Sequence, residues 1–216
     1  MLGDRLKDMK NKTIKTDQCK PSPLVEKYSK DAQRGPAFDI GFGGGGDAIF
    51  LARMGFGVTA IDISETNVAV LRSASETKNI SINAIFQDVR KFIFQERRYS
   101  IIVAINSLFF LSKRDFETVV EKIKKALRPG GIAIITSFTT GDPMFVKMQK
   151  TKEQADERSF RDEEGHSWNF LASGELEGYF KGFSIFFSKE ETVQDKGHLG
   201  ASKPHTHKIA SIVARK

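Results

Sequence analysis

Residues 38–52 read FDIGFGGGGDAIFLA. Apolar residues lead into five glycines within the six positions 41–46, then an acid, then a stretch with helical spacing. Glycine admits positive φ and lets a turn's backbone approach a ligand closely. A strand, a glycine turn and a helix in that order predict a cradle for part of a nucleotide, set in an α/β fold. Two glycine registers fit. Gly41, Gly43 and Gly46 make G-x-G-x-x-G, whereas Gly41, Gly43 and Gly45, with Asp39 ahead of them, make D-x-G-x-G-x-G.

Strand and helix signals alternate outward from this turn. The first strand spans about 36–40, and the helix after the turn stops at Gly55. Residues 57–62 form a second strand ending in Asp62, and Ser64 caps a helix with Val68, Leu71 and Ala74 on one face. Residues 80–88 form a third strand ending in Asp88. Residues 99–107, YSIIVAINS, form a nearly unbroken apolar run of the kind found in buried parallel strands. Phe116, Val119, Val120, Ile123, Ala126 and Leu127 have helical spacing, Pro129-Gly130-Gly131 closes that helix, and 132–138 is a fifth strand. This order predicts a doubly wound, mainly parallel sheet. Residues 139–172 are polar and read as a helical or mobile insertion. Two C-terminal strands follow, joined by the polar stretch 191–204, and pair antiparallel because no helix fits between them. The organisation is an N-terminal arm and short helix (1–34) and a single domain (35–216), with an insertion or lid at 139–172 and a hairpin at 182–216.

A chain of 216 residues, 39% hydrophobic and 28% charged, suits one globular α/β domain. No apolar run approaches the ~20 residues needed to cross a bilayer, and the first twenty residues lack an apolar signal core. The expected location is the cytoplasm. Cys19 is the single cysteine, which excludes an internal disulfide and a cysteine-rich metal site. The net charge of +7 is spread over scattered helix faces without aromatic interleaving, so nucleic acid is not the favoured partner.

The strand-end acids separate the candidate ligands. A dinucleotide brings a pyrophosphate to the turn, and Asp39 would repel it. S-adenosylmethionine brings an ammonium, a carboxylate and a sulfonium, for which an acid is an asset. Asp62 suits a ribose in either ligand. Asp88, reaching an adenine amino group, suits the methyl donor.

FDIGFGGGGDAIFLARMGFGVTAIDIS, QDV and LRPGG resemble class I SAM-dependent methyltransferases in order and spacing across residues 36–137. The C-terminal segment from Gly174 and PSPLV near the start resemble the tellurite-resistance-type branch, which includes small-molecule, thiol and chalcogen methyltransferases. The resemblance implies a Rossmann-like, seven-stranded sheet with an antiparallel last strand, and S-adenosyl-L-methionine as cofactor. It implies that Asp39, Gly41, Gly43 and Gly45 line the methionine end, that Asp62 takes the ribose hydroxyls and Ile63 packs on adenine, that Asp88 bonds the adenine amino group beside Val89, and that Asn106 faces the methionyl portion. Phe42 stands where the family often has Cys or Ser, and Gly46 where this branch often has Arg.

A hydroxyl or ammonium acceptor needs a base, whereas a thiolate or chalcogen oxyanion does not. The segment after strand four reads NSLFFL rather than N-P-P-(Y/F), which disfavours amino-methylation of nucleic-acid bases. Cys19 lies in the arm, away from any covalent role. His205 and His207 share a strand face, with His198 nearby in sequence. They are candidates for the acceptor side, as a general base or anion binders, or are hairpin residues with solvated or locally bonded imidazoles; a metal is not expected, because no carboxylate or cysteine completes the spacing. Asp195 is a candidate to orient one of them. Met144, Phe145, Met148, Phe160, Trp168 and Phe170 form either a lid over the acceptor or the core of a small cap, and Arg158 and Arg161 are candidates to hold an anionic acceptor. The expected activity is methyl transfer from S-adenosylmethionine to a small molecule, such as a thiol or a metalloid or chalcogen anion. The rivals are a nucleic-acid methyltransferase using the basic arm and a non-catalytic SAM-binding module.

Overall fold

The computed structural model describes residues 20–163, 165–195 and 204–216. After helix α1 (Pro23–Tyr28) come β1 (Pro36–Ile40), α2 (Gly46–Arg53), β2 (Gly57–Asp62), α3 (Glu65–Thr77), β3 (Ile82–Phe86), β4 (Tyr99–Ala104), α4 (Lys113–Ala126) and β5 (Leu127–Phe138). The remainder is α5 (Pro143–Thr151), three short strands β6 (Glu153–Asp156), β7 (Ser159–Arg161) and β8 (Ser167–Asn169), α6 (Glu175–Tyr179), and the pair β9 (Ser184–Asp195) and β10 (His205–Arg215).

The main sheet has seven strands in the order β3-β2-β1-β4-β5-β10-β9. The first five are mutually parallel, and β10 runs antiparallel to both β5 and β9. Parallel strands bury both faces, so successive residues serve opposite layers. In β4, Ile101 and Val103 face the layer holding Val25 of α1, Leu51 of α2 and Leu71 of α3. Ile102 and Ala104 face the layer holding Phe116 and Ile123 of α4 and Leu176 of α6. Phe42 is buried in the first of these layers, so its bulk packs behind the glycine turn.

Several sequence expectations shift. Helix α4 ends at Ala126, and strand pairing begins at once with Leu127 opposite Tyr99, before the Pro-Gly-Gly turn rather than after it. The fourth strand ends at Ala104, which leaves Asn106 in the following turn with φ +48. The insertion is one helix followed by a three-stranded antiparallel sheet, where a helical or mobile segment was expected. Those strands are three or four residues long, too short to express a period of two.

A polar network ties the insertion to the domain. Lys113 Nζ donates to Glu175 Oε1 (2.6 Å) and Glu117 Oε1 (2.8 Å), and Arg158 Nη2 donates to Glu175 Oε2 (2.8 Å). Hydrogen bonding by Lys113, Ala172 and Tyr179 outweighs burial and holds the Glu175 carboxyl below its ordinary range. Arg158 is therefore committed to Glu175 and not to an acceptor, and Arg161 is exposed on β7. Charge-assisted bonds contribute on the order of 1.5–3 kcal/mol each. Glu175→Gln should lower the urea midpoint of unfolding and speed proteolysis within 153–169; an unchanged midpoint would remove this network from the forces that hold the insertion.

Candidate functional site at the glycine turn

β1 and β2 end side by side, with Asp39 paired to Ala60 and Ile40 to Ile61, and the glycine turn closes over them. Gly41, Gly43 and Gly45 have φ of +66, +52 and +77. A Cβ on Gly41 would meet Ser107 Cβ at 2.5 Å, and one on Gly45 would meet Leu71 Cδ1 at 2.8 Å, so both positions are fixed by close approach. Nothing lies within 4 Å of a Cβ built on Gly43, which borders open space.

Three carboxylates converge on this turn. Asp39 is 2% exposed, and its Oδ2 has no hydrogen-bond partner. Burial pushes its carboxyl well above the ordinary range, and the charges of Asp47 and Asp62 push it further; only the Ala48 backbone N–H opposes them. Asp47, in the first turn of α2, accepts from Ser22 N (2.6 Å), and burial raises it to about 6. Asp62 accepts from Gly43 N (2.9 Å) and Ser64 N (2.8 Å), yet burial still raises it. Buried like charges without a cation are unfavourable. This arrangement fits a cationic ligand, with a lone pair of Asp39 ready to accept from it.

The remaining expected cofactor residues lie around the same strand ends. Ile63 is 68% exposed immediately after Asp62, an apolar platform facing solvent. Asp88 follows β3, but its carboxylate is held by Arg90, with Nε at 2.9 Å and Nη2 at 2.5 Å from Oδ2, and that pairing lowers it. An adenine amino group would have to share Asp88 with Arg90. Val89 opens a short helical turn and packs against the core. Asn106 Oδ1 accepts from Thr136 Oγ1 (2.7 Å), whose oxygen in turn accepts from Asn106 N (2.8 Å). The Asn106 side-chain oxygen is thus turned toward β5.

Beyond β4 and β5, Phe109, Phe138, Met148, Phe160, Phe170 and Ile209 form a third apolar cluster, with Met144, Phe145 and Trp168 packed on it. The insertion's apolar residues thus pack on the ends of β5 and β10. His207, 8% exposed, stacks on Phe138 (4.6 Å between centroids), and its Nδ1 lies 3.0 Å from Asp142 Oδ2. His205 packs edge-on against His207 (4.7 Å), while His198 lies outside the described residues.

Residues 37–131 match the model of a methyltransferase domain. Over these residues the chain is similar to the methyltransferase domain. The chain is 27% identical over 104 residues to the probable S-adenosyl-L-methionine-dependent methyltransferase TehB of Haemophilus influenzae, covering 48% of this chain and 36% of that protein. It is 26% identical over 119 residues to the ubiquinone biosynthesis O-methyltransferase of Rickettsia akari, covering 53% and 46%. The chain therefore spans less than half the length of these curated relatives. The crystal structure of Haemophilus influenzae TehB superposes with a TM-score of 0.69 at 21% identity, over 89% of this chain and 61% of that one. A SAM-dependent methyltransferase of Methanosarcina mazei superposes at 0.71 and 18% identity, over 92% and 99%. These two likenesses establish the fold.

Two further acids, Asp47 and Asp142, have partners distant in the sequence. Asp47 directly follows the glycines, but its partner Ser22 is 25 residues away. Asp142, 1% exposed, caps α5 by accepting from Met144 N (2.7 Å) and also accepts from Lys208 N (2.8 Å). The sequence GDP, an acid before a proline that can begin a helix, was the available signal for its capping role.

The raised carboxyls carry a signed consequence. Between the ordinary value of 3.8 and about 6, the native domain binds more protons at Asp47 than the unfolded chain does. Stability of the ligand-free protein should therefore fall as pH rises through that window. Asp39→Asn should raise the thermal midpoint of the ligand-free protein at pH 7, by about 2–4 °C for each kcal/mol of repulsion relieved. A lowered midpoint would mean that the Asp39 charge already has a compensating partner.

Proposed function

We propose that this protein transfers a methyl group from S-adenosyl-L-methionine to a small-molecule acceptor. The observation that carries the reading is the buried carboxylate cluster Asp39, Asp47 and Asp62 around a glycine turn, with an unpartnered oxygen on Asp39. S-adenosylmethionine supplies the electrophilic methyl group on a sulfonium. Its ammonium answers Asp39, its ribose hydroxyls donate to Asp62, Ile63 is the apolar platform for adenine beside Asp88 and Val89, and Gly41, Gly43 and Gly45 let the methionyl end approach the backbone. The Asn106 amide borders that end. The chain aligns the two reactants and excludes water, which is the main demand of an in-line displacement.

The acceptor lies on this reading beneath Phe109, Phe138 and Trp168, with the insertion as a lid and His205 and His207 at its far side. An aromatic, largely apolar wall suits a compact acceptor better than a polynucleotide. A thiol or a chalcogen or metalloid anion is the favoured class, because a soft anion attacks without a dedicated base.

Isothermal titration calorimetry with S-adenosylmethionine and with NAD tests the cofactor. Binding of the methyl donor but not NAD is expected, and Asp62→Ala should weaken it at least tenfold, about 1.4 kcal/mol. Unchanged affinity in that variant would displace the ribose from β2. Formation of S-adenosylhomocysteine is then followed with a thiol, selenite, tellurite and a catechol. Turnover of the catechol alone would redirect the acceptor class, and cofactor binding without turnover over a wider panel would favour a non-catalytic module.

A further inference from the structure

The hairpin brings together a donor set that its sequence spacing conceals. His205 and His207 are two residues apart on β10 and present the same face. Across the hairpin, Asp195 is directly opposite His205, and directly opposed residues of an antiparallel pair share a face. One donor atom from each of Asp195, His205 and His207 lies within 4.8 Å of the others. Bonds of about 2.0–2.2 Å from a shared ion would set donors on the order of 3.3 Å apart. Metal binding on this proposal draws the Asp195 and His205 side chains toward His207, which Asp142 and Phe138 hold in place.

His207 has the support that a metal-bound imidazole needs. Asp142 is held by the backbone N–H groups of Met144 and Lys208, and it faces His207 Nδ1 at 3.0 Å. A carboxylate at Nδ1 orients an imidazole ring and favours ligation of a metal through Nε2. Stacking on Phe138 fixes the plane of the ring as well.

We propose that Asp195, His205 and His207 form a binding site for a divalent first-row transition metal of the zinc class, with Asp142 as the positioning residue behind His207. Two nitrogens and one oxygen suit Zn2+, Co2+ or Fe2+ and are a poor match for Mg2+ or Ca2+, which take oxygen shells. Three protein ligands leave coordination positions open, and the site adjoins the Phe109–Phe138 aromatic cluster, so those positions suit water or a thiolate or oxyanion. This inference does not rest on the methyl-donor reading, because metal binding needs neither cofactor nor turnover.

The test uses the full chain without a polyhistidine tag, stripped with a chelator and titrated with Co2+ and then Zn2+. One equivalent of Co2+ should bind with visible d–d absorption, and Zn2+ should displace it. His205→Gln and Asp195→Asn, with circular dichroism confirming that they fold, should each weaken Co2+ binding at least tenfold. Asp142→Asn should weaken it about 10–100-fold and alter the cobalt spectrum. The absence of a saturable 1:1 cobalt spectrum in the unaltered chain would overturn the site. So would equal affinity in His205→Gln, which would put the metal elsewhere.

Discussion

The domain is organised around an electrostatic imbalance. Asp39, Asp47 and Asp62 come from the end of β1, the start of α2 and the end of β2, and the glycine turn brings them into one buried region. No cationic side chain is among the groups that shift Asp39; burial and two further acids push its carboxyl up. Such an arrangement is costly in the ligand-free chain and would not persist as packing alone. It becomes favourable when a cation enters, which links the stability of the fold to occupancy of the turn. The glycines serve the same end. Gly41 and Gly45 let the turn seat against Ser107 and Leu71, and Gly43 borders the space a ligand would fill.

A second constraint lies at the other end of the site. Asp142 is a hub where the insertion begins. It caps α5, accepts from the Lys208 backbone and holds His207, so the first helix of the insertion, the start of β10 and the imidazole share one carboxylate. The aromatic cluster around Phe138 packs against the same point. Glu175 is the corresponding hub for the later part of the insertion, through Lys113 and Arg158. Movement of the insertion would therefore be expected to act on the histidines as well as on the aromatic wall.

The central sheet was legible in the sequence because each strand carries its own signal: an apolar run, an end acid or a following glycine. Asp39, the glycines and Asp62 were placed at one turn from spacing alone, since β1, the turn and β2 are contiguous. Features that depend on partners distant in sequence were not legible. Asp47 is only an acid after the glycines in the sequence, because its partner Ser22 lies 25 residues before it. Asp88 is a different case: it reads as an adenine ligand, yet Arg90, only two residues on, holds it through a side-chain geometry that spacing does not reveal. The strands of the insertion are too short for periodicity to declare them. Spacing along the chain supplies no carboxylate to complete the two histidines, whereas the hairpin register sets Asp195 against His205.

The central claim is that the acids of the glycine turn hold extra protons in the ligand-free domain and give them up to a cationic cofactor. Calorimetric titration with S-adenosylmethionine at pH 6, in buffers of different ionisation enthalpy, measures this proton exchange directly. The account predicts net proton release on binding, diminished in Asp39→Asn. Binding with no proton exchange, or with proton uptake, would contradict it.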